Sequence, residues 1–322
     1  MDDEPTISGL SPILGGLPAA RPLSNIQQRL IRGSLQIQET GAEKIVYQHT
    51  VFCQTVMPYR DPGPTVRLWE RVQGAAVLEI QAGRAMDPAV GRFVDVGLPF
   101  GPKPRLILYH LNAEALRTHS PEIEIDDTLT AFVKRIGLQS HGRNMRIIKN
   151  QLTRLSASDF RLGFIKNGLA TTIKASIISG FQLWFPKDEN QRVLWPTTVQ
   201  FSQEYFESLV NHAVPLNESA IALLSHSALS LDIYVWLAQR LHRVPPGRPQ
   251  LITWGCLYTQ FGQNYNRIRK FREVFLEALH QVFTVYSEAC LDLTEEGLVL
   301  KNSKPPVQKR LVQIRANEQS NR

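Results

Sequence analysis

Residues 141–155, HGRNMRIIKNQLTRL, carry side chains that can donate hydrogen bonds to an anion, and no carboxylate is present among them. Arginine can form two hydrogen bonds with guanine O6 and N7, and asparagine can do the same with adenine N6 and N7. Lysine and threonine can contact phosphate oxygens. The candidate contacts in this segment are Arg143, Arg146, Lys149, Asn150, Thr153 and Arg154.

The apolar residues of the same segment have the spacing of one helical stripe. Met145, Ile148, Leu152 and Leu155 follow each other at intervals of three or four residues. This period predicts an amphipathic helix whose stripe packs on a core, so the basic and amide side chains lie on the outward side. Taken alone, that outward side fits a solvated surface as well as it fits a binding surface.

The distribution of charge favours a binding surface. The whole chain has a formal net charge of +7, yet residues 130–174 contain nine lysines and arginines against one acidic residue, Asp159. One short window therefore holds more than the entire excess of positive charge. Such a concentration is typical of proteins that bind a polyanion, because each neutralised phosphate releases counterions.

The elements around this segment predict how it is positioned. A helical pattern covers residues 105–117, an alternating strand pattern follows at 122–126, and Asp127 or Thr128 can cap a second helix that ends at Gly137. After the third helix, Asn167-Gly168 predicts a β-hairpin. This order is that of a winged helix-turn-helix, in which the third helix enters the major groove of DNA. Lys166 at the hairpin tip, with Arg161 and Lys174 on its strands, would then reach neighbouring phosphates.

The pattern occurs a second time along the chain. A helix is predicted for residues 230–242, a second ends at Gly262, a third spans 264–283, and a hairpin turns at Glu296-Gly297. The predicted apolar stripe of the third helix comprises Ile268, Phe271, Phe275, Leu279 and Val282. We interpret the two copies as a diverged tandem duplication.

The outward face of the second copy is less uniformly basic. Glu273 and Glu277 lie farther along its exposed side, which favours phosphate contact over extensive reading of bases and leaves the choice between them open. The candidate contacts are Asn264, Asn266, Arg267, Arg269, Lys270 and Arg272.

These patterns predict an α+β protein with two tandem winged-helix domains preceded by a small β-rich N-terminal region. The predicted organisation is a flexible N-terminal tail (1–42), the β-rich region (43–100), the first winged helix (101–199), the second (200–302) and a basic C-terminal tail (303–322).

Enzymatic motifs are absent from the sequence. A phosphate-cradling GxxxxGK[ST] loop and an HExxH pair are both missing, and the eight histidines are dispersed. The three cysteines lack CxxC spacing, which argues against a zinc site and a disulfide framework. No apolar run is long enough to cross a membrane. We therefore expect a cytoplasmic, non-enzymatic protein with no cofactor and no bound metal.

Several long segments resemble the plasmid-encoded RepA-type replication initiators. They include YQHTVFCQTVMPYRDPG, the block from VGLPFGPKP to FVKRIGL, GRNMRIIKNQLTRLSA, LWFPKDENQRVLWPTTV, ALSLDIYVWLAQRLHRVPPG and RKFREVFLEALHQV, between residues 46 and 307. The resemblance implies a protein that binds repeated double-stranded DNA sites, called iterons, at a plasmid origin. It also implies origin opening, recruitment of host replication proteins such as a helicase or its loader, repression of its own promoter, and a monomer to dimer switch in which a homodimer is one state.

A transcriptional regulator without a role in initiation is the alternative. It would share every proposed contact with duplex DNA, so the residues alone do not separate the two functions. A footprint would: several regularly spaced repeats favour an initiator, and a single operator favours a regulator.

Overall fold

The computed structural model describes residues 24–40, 44–87, 90–124, 128–166, 169–181 and 198–307. Helices and strands are mixed along these ranges, in runs of either kind, which fits the α+β class. Buried apolar side chains from nearly all of the elements form one contiguous core. The first 23 residues and residues 308–322, which fall in the two predicted tails, lie outside the described residues.

Five α-helices and eight β-strands are described before residue 176. In chain order they are α1 (Asn25–Thr40), β1 (Ile45–His49), α2 (Thr50–Gln54), β2 (Leu68–Gln73), β3 (Ala76–Gln81), β4 (Arg84–Asp87), β5 (Arg92–Asp95), α3 (Pro102–Thr118), β6 (Glu122–Glu124), α4 (Leu129–Arg135), α5 (Gly142–Ala157), β7 (Asp159–Lys166) and β8 (Leu169–Ala175).

Five further helices and six strands are described in the remainder. They are β9 (Ile178–Phe181), β10 (Thr198–Phe201), α6 (Gln203–His212), β11 (Ala213–Asn217), α7 (Glu218–Leu224), α8 (Ala228–Arg240), β12 (Gln250–Thr253), α9 (Trp254–Phe261), α10 (Ile268–Val285), β13 (Leu291–Leu293) and β14 (Gly297–Leu300). A short 3-10 turn, Leu241–Arg243, follows α8.

Two parts of the chain have the same order of elements. The first unit consists of α3, β6, α4, α5, β9 and β10, with β7 and β8 inserted between α5 and β9. The second unit consists of α8, β12, α9, α10, β13 and β14. In each unit the strand that comes last in the chain lies at the centre of the sheet, between the other two. The strand orders are β6-β10-β9 and β12-β14-β13. Both units thus place three helices beside a three-stranded antiparallel sheet, as the predicted duplication requires.

Strands β7 and β8 pair on either side of Asn167-Gly168, which lie outside the described residues, and they do not join the sheet of the first unit. Strand β7 pairs with β3 of the N-terminal region, in a four-stranded sheet ordered β2-β3-β7-β8. The register places Leu78 opposite Leu162 and Ile80 opposite Phe160, and all four side chains are fully buried. The burial of these apolar pairs explains the choice of partner. The prediction that β7 and β8 form the wing of the first unit was therefore wrong.

The N-terminal β-rich region is also tied to the later part of the chain. Strand β1 pairs antiparallel with β11, from Ile45 opposite Asn217 to His49 opposite Ala213. Each of the two strands leads directly into a short helix, α2 or α7. This ladder and the β3–β7 ladder both join segments that are distant in sequence, so the region packs as part of the common core.

Part of the predicted N-terminal tail is helical. Residues 25–40 form α1, which packs on α7 and α10. Leu30 is buried at its centre, and Nη2 of Arg29 donates a hydrogen bond to the carbonyl oxygen of Leu223 at 2.9 Å. Burial of an apolar side chain against the second unit stabilises a helix that its own composition predicts only weakly. The expectation of a loosely ordered tail was wrong for these residues.

The boundaries of the second helix of the first unit follow from local chemistry. Oγ1 of Thr128 accepts a hydrogen bond from the backbone N–H of Ala131 at 3.1 Å, which caps α4. Past the other end of α4, Gly137 has φ of 78°, in the left-handed region that glycine adopts without strain. The sequence predicted both features, with Thr128 as one of two candidate caps.

His49 caps α2, a short helix within the predicted β-rich region. Its Nδ1 accepts a hydrogen bond from the N–H of Val51 at 3.2 Å, and Nε2 lies 2.9 Å from Oγ of Ser208. The first contact requires an unprotonated Nδ1. Burial, together with the charge of His212, lowers the pKa of His49 from its ordinary 6.5 to about 3.

We expect stability to fall as the pH drops below about 6.5. The unfolded state then binds a proton at His49 that the folded state does not bind, so the free energy of unfolding rises with pH in this range. Between pH 6.5 and pH 5 this one group accounts for about 2 kcal/mol. Urea denaturation at a series of pH values measures the slope.

His49→Asn is the matched control, because asparagine also accepts a hydrogen bond at the start of a helix and has no ring to protonate. His226, whose pKa is also lowered by burial and by Arg29, titrates in both proteins, so the difference between the two slopes isolates His49. Equal slopes above pH 5 would contradict the assignment.

Candidate nucleic-acid interface

Helix α5 is held in the first unit by its predicted apolar stripe. Ile148, Leu152 and Leu155 are buried, and Met145 packs at the edge of the core. The helix begins after His141, whose Nδ1 accepts a hydrogen bond from the N–H of Asn144 at 3.3 Å. These contacts determine which side of α5 is turned to solvent.

The outward side carries three of the predicted contact residues. Arg143, Arg146 and Asn150 are exposed. Within the described part of the chain, the two arginine side chains form no hydrogen bond or ion pair, and Asn150 has only a long contact of 3.4 Å from Nε2 of Gln151. Two guanidinium groups and one amide are thus available to an external acceptor, without a carboxylate from the protein itself.

The next two predicted contacts are partly engaged by the protein. Lys149 is half-buried, and burial lowers its pKa. Oγ1 of Thr153 donates to the carbonyl oxygen of Lys149 at 2.9 Å, inside the helix. Lys149 therefore lies on the flank of the outward face, as predicted, and the Thr153 hydroxyl already has an acceptor.

Arg154 has a structural role, which corrects its prediction as a DNA contact. Nη2 lies 3.0 Å from Oδ2 of Asp61, Nη1 donates to the carbonyl oxygen of Leu98 at 2.9 Å, and the guanidinium lies 5.0 Å from the Phe100 ring centroid. Only 15% of its side chain is exposed. Position 154 lies at the edge of the outward face, where a long side chain can turn back onto the protein.

The sequence contained no signal for the contacts that fix this end of α5. Gln151 is buried, and its Oε1 accepts a hydrogen bond from the N–H of Phe100 at 2.9 Å. With Arg154, it attaches α5 to residues 98–100, just before α3. Both partners are backbone groups of a loop, and sequence spacing does not predict which side chain reaches them.

The predicted contacts on the β7–β8 hairpin occupy the four-stranded sheet. Arg161 forms an ion pair with Glu79 on the neighbouring strand β3. Lys174, next to Arg161 in the β7–β8 register, is exposed. Lys166 ends β7, and its side chain lies outside what the structure describes. This hairpin belongs to another sheet and is not the wing of the first unit. The winged-helix arrangement therefore no longer supports the prediction that its basic residues bind phosphates beside α5.

Helix α10 is the counterpart of α5 in the second unit. Phe271, Phe275, Leu279 and Val282 are buried as predicted. Ile268 is 44% exposed, which corrects its place in the stripe, because it is the first residue of the helix and lies beyond the core.

The polar face of α10 and of the preceding turn divides into two groups. Asn264, Asn266 and Arg267 are exposed, and their side chains have no polar partner among the described residues. Nζ of Lys270 lies 3.0 Å from Oε2 of Glu273, and Nε of Arg269 lies 3.7 Å from Oε1 of the same residue.

Glu273 partly neutralises the basic side chains at the start of α10. Its hydrogen bond from Lys270 and the charges of Lys270 and Arg269 lower its pKa, so the carboxylate is ionised next to them. The guanidinium of Arg272 stacks on Trp254, 4.6 Å from the ring centroid. The net positive field of α10 is consequently weaker than that of α5.

Among the described residues no group of three or more His, Cys, Asp or Glu side chains is arranged to hold a metal ion. None of the described helices combines the length and the apolar character needed to cross a membrane.

Comparisons with known proteins give one family match. Residues 98–256, from before α3 to within α9, match the family model described as "Plasmid encoded RepA protein". No curated protein sequence matches the chain. Similar solved structures include two crystal structures of domains 2 and 3 of RctB. The first, on selenomethionine derivatives, has 13% identity and a TM-score of 0.45 and covers 72% of this chain and 83% of that one. The second has 12% identity and a TM-score of 0.44, with coverages of 72% and 82%. Residues 98–256 of this chain are thus similar to the family of plasmid-encoded RepA proteins.

Proposed function

We propose that this protein initiates plasmid replication by binding repeated double-stranded DNA sites at the origin, with each unit acting as a winged helix. The observation that carries the proposal is the outward face of α5, where exposed Arg143 and Arg146 have no acceptor among the described residues. The strand orders of the two units and the RepA family match support it.

In this proposal α5 lies in a major groove and reads base edges. Arg143 and Arg146 donate to guanine, and Asn150 pairs with adenine, because these are the bidentate arrangements that the side chains allow. Helix α10 contacts a second segment of the same duplex. There Asn264, Asn266 and Arg267 bind mainly phosphates, since Glu273 opposes the approach of a polyanion farther along the helix.

The downstream steps follow from the family resemblance. Binding promotes opening of the origin and brings host replication proteins, such as a helicase or its loader, to the site. The protein also represses its own promoter and forms a homodimer in one of two states. No catalytic step and no cofactor are assigned to this chain, and it acts in the cytoplasm. Hydrolysis of nucleotide by the purified protein would contradict the proposal that this chain is not an enzyme.

Arg146→Ala and Asn150→Ala should each weaken binding to the preferred site by about 1–3 kcal/mol and relax the preference at one base position. A binding titration against duplexes with single base-pair changes measures both effects. Lys174→Ala, an exposed cation on the four-stranded sheet, is the control for loss of one charge. If the base preference is unaltered in both α5 variants, α5 does not read the sequence.

A footprint on plasmid origin DNA tests the biological role. Several regularly spaced protected repeats are expected for an initiator. A single protected operator at the promoter, with no protection in the origin, would instead identify a transcriptional regulator.

A further inference from the structure

Residues 54–61 connect the second unit with the end of α5. At the start of this segment the carbonyl oxygen of Gln54 accepts a hydrogen bond from Nε2 of Gln260 in α9, at 2.7 Å. At its other end Asp61 forms the ion pair with Arg154 of α5, at 3.0 Å. The segment therefore runs between the two units and ends beside one of the two candidate DNA-binding helices.

The backbone of this segment is held at several points. The N–H of Gly101 donates to the carbonyl oxygen of Pro58 at 2.9 Å, and Nη2 of the buried Arg105 donates to the carbonyl oxygen of Met57 at 2.9 Å. Oδ1 of Asp61 accepts a hydrogen bond from the N–H of Gly63 at 3.1 Å and closes a turn. The position of residue 60 is consequently determined by the fold.

Arg60 projects from this fixed segment into solvent. It is exposed, and its side chain has no polar contact within the described ranges. The adjacent carboxylate of Asp61 is already paired with Arg154. The positive charge of Arg60 is thus not neutralised by its neighbour.

The same charge acts on the turn before α10. Burial and the charge of Glu277 raise the pKa of Tyr265, while the charges of Arg60 and Lys270 act to lower it. Tyr265 stands between Asn264 and Asn266, two candidate contacts of the second unit. A hydrogen bond between Arg71 of β2 and Gln263 further joins the N-terminal region to this turn.

We propose that Arg60 binds a phosphate of the DNA backbone between the segment contacted by α5 and the segment contacted by α10. The proposal rests on the proposed function, since it assumes that both helices lie on one duplex. A guanidinium carried on a fixed backbone between two groove-binding helices can reach the phosphates that connect the two grooves. Arg60 thereby adds affinity and determines register, and it carries no base specificity.

The test compares Arg60→Ala with Arg248→Ala over a range of salt concentrations. Arg248 is another exposed arginine whose side chain has no polar contact in the described part of the chain. It precedes β12, at the end of the β12–β14 ladder that is farther from the Glu296-Gly297 turn. Arg60→Ala should weaken binding to origin repeats and to unrelated duplex alike, by roughly threefold to tenfold, and lower the salt slope by about one. Arg248→Ala should leave the slope unchanged.

Phosphate ethylation interference locates the contact. Ethylated phosphates that block the wild-type protein should include one or two that no longer matter to Arg60→Ala. These should lie between the phosphates whose importance changes in Lys149→Ala and in Arg267→Ala. Unchanged melting temperatures would show that the variants fold.

The outcomes separate the inference from the proposed function. If Arg146→Ala alters base preference while Arg60→Ala behaves as Arg248→Ala does, the proposed function stands and the role of Arg60 is refuted. If Arg60→Ala changes the preferred sequence without changing the salt slope, the phosphate contact is refuted. If the wild-type protein shows no salt-dependent binding to duplex DNA, both proposals fail together.

Discussion

Asp232→Ala is expected to lower the free energy of unfolding by about 3–5 kcal/mol, because it leaves a buried guanidinium without its counter-ion. Asp232 lies in α8 of the second unit and Arg105 in α3 of the first. Nε and Nη2 of Arg105 each lie 2.7 Å from one carboxylate oxygen, and the side chains are only 1% and 6% exposed. The variant would remove the charge that compensates Arg105 in the interior.

The backbone cannot replace this partner. Nη1 of Arg105 donates to the carbonyl oxygen of Gly101 at 2.7 Å and Nη2 to that of Met57 at 2.9 Å, so the carbonyls satisfy hydrogen bonds without supplying a negative charge. Burial raises the pKa of Asp232, against the opposing effect of Arg105. For Arg105, burial acts to lower the pKa, but the Asp232 carboxylate prevails and raises it. The two groups therefore keep each other ionised.

Urea denaturation of the single and double variants measures this dependence. Arg105→Met and Asp232→Ala should each be strongly destabilised, whereas the double variant Arg105→Met/Asp232→Leu should lose less than either, since neither charge remains in the core. If Asp232→Ala lowers the free energy of unfolding by less than about 1 kcal/mol, the charge of Arg105 is stabilised in another way, for example by water.

Leu152→Ala should cost about 2–5 kcal/mol of stability and abolish specific DNA binding through the loss of the platform beneath α5. Leu152 is 1% exposed, and its stripe neighbours Ile148 and Leu155 are fully buried. Removal of its branched end leaves a cavity that neither neighbour can fill without moving the helix. Thermal unfolding and a binding titration on the same preparation follow the two consequences.

Arg146→Ala is the matched variant on the opposite side of the same helix. It should retain the wild-type melting temperature and bind the preferred site more weakly, whereas Leu152→Ala should lose both stability and specific binding. If Leu152→Ala melts like the wild-type protein, the side chain is not buried and the face assigned to DNA is the wrong one.

The two variants test different parts of one arrangement. Arg105 and Asp232 join the helices that open the two units, and Leu152 holds α5 on the first unit. The Arg154–Asp61 pair attaches the end of that helix to the segment that carries Arg60. The orientation of the proposed DNA-binding surface thus depends on residues that do not themselves bind DNA in this proposal.

Much of the local structure was predictable from the sequence. The stripe of α5, the cap at Thr128, the break at Gly137 and the turn at Glu296-Gly297 depend on residues within a few positions of each other. Predictions of this kind succeed because the helical period and the turn geometry fix side-chain directions along a short stretch of chain. The outward position of Arg143, Arg146 and Asn150 follows from the same rule.

Long-range pairing was not predictable in this way. Asn167-Gly168 indicated a hairpin, but many apolar strands could have accepted β7, and the burial of Leu78 and Ile80 against Leu162 and Phe160 selected β3. Ladder β1–β11 and the docking of α1 on α10 likewise depend on surfaces that exist only after other elements have packed.

The helical period is enough to assign the apolar and the basic faces of α5 and α10, because side-chain direction in a helix depends on position alone. Which basic side chains remain free depends instead on tertiary packing. Arg146 and Arg154 have the same chemistry and lie on one helix, yet Arg154 meets the carboxylate of Asp61 while Arg146 meets no acceptor among the described residues. The difference arises because a partner's position is set by chain folding over many residues, which spacing along one helix does not encode.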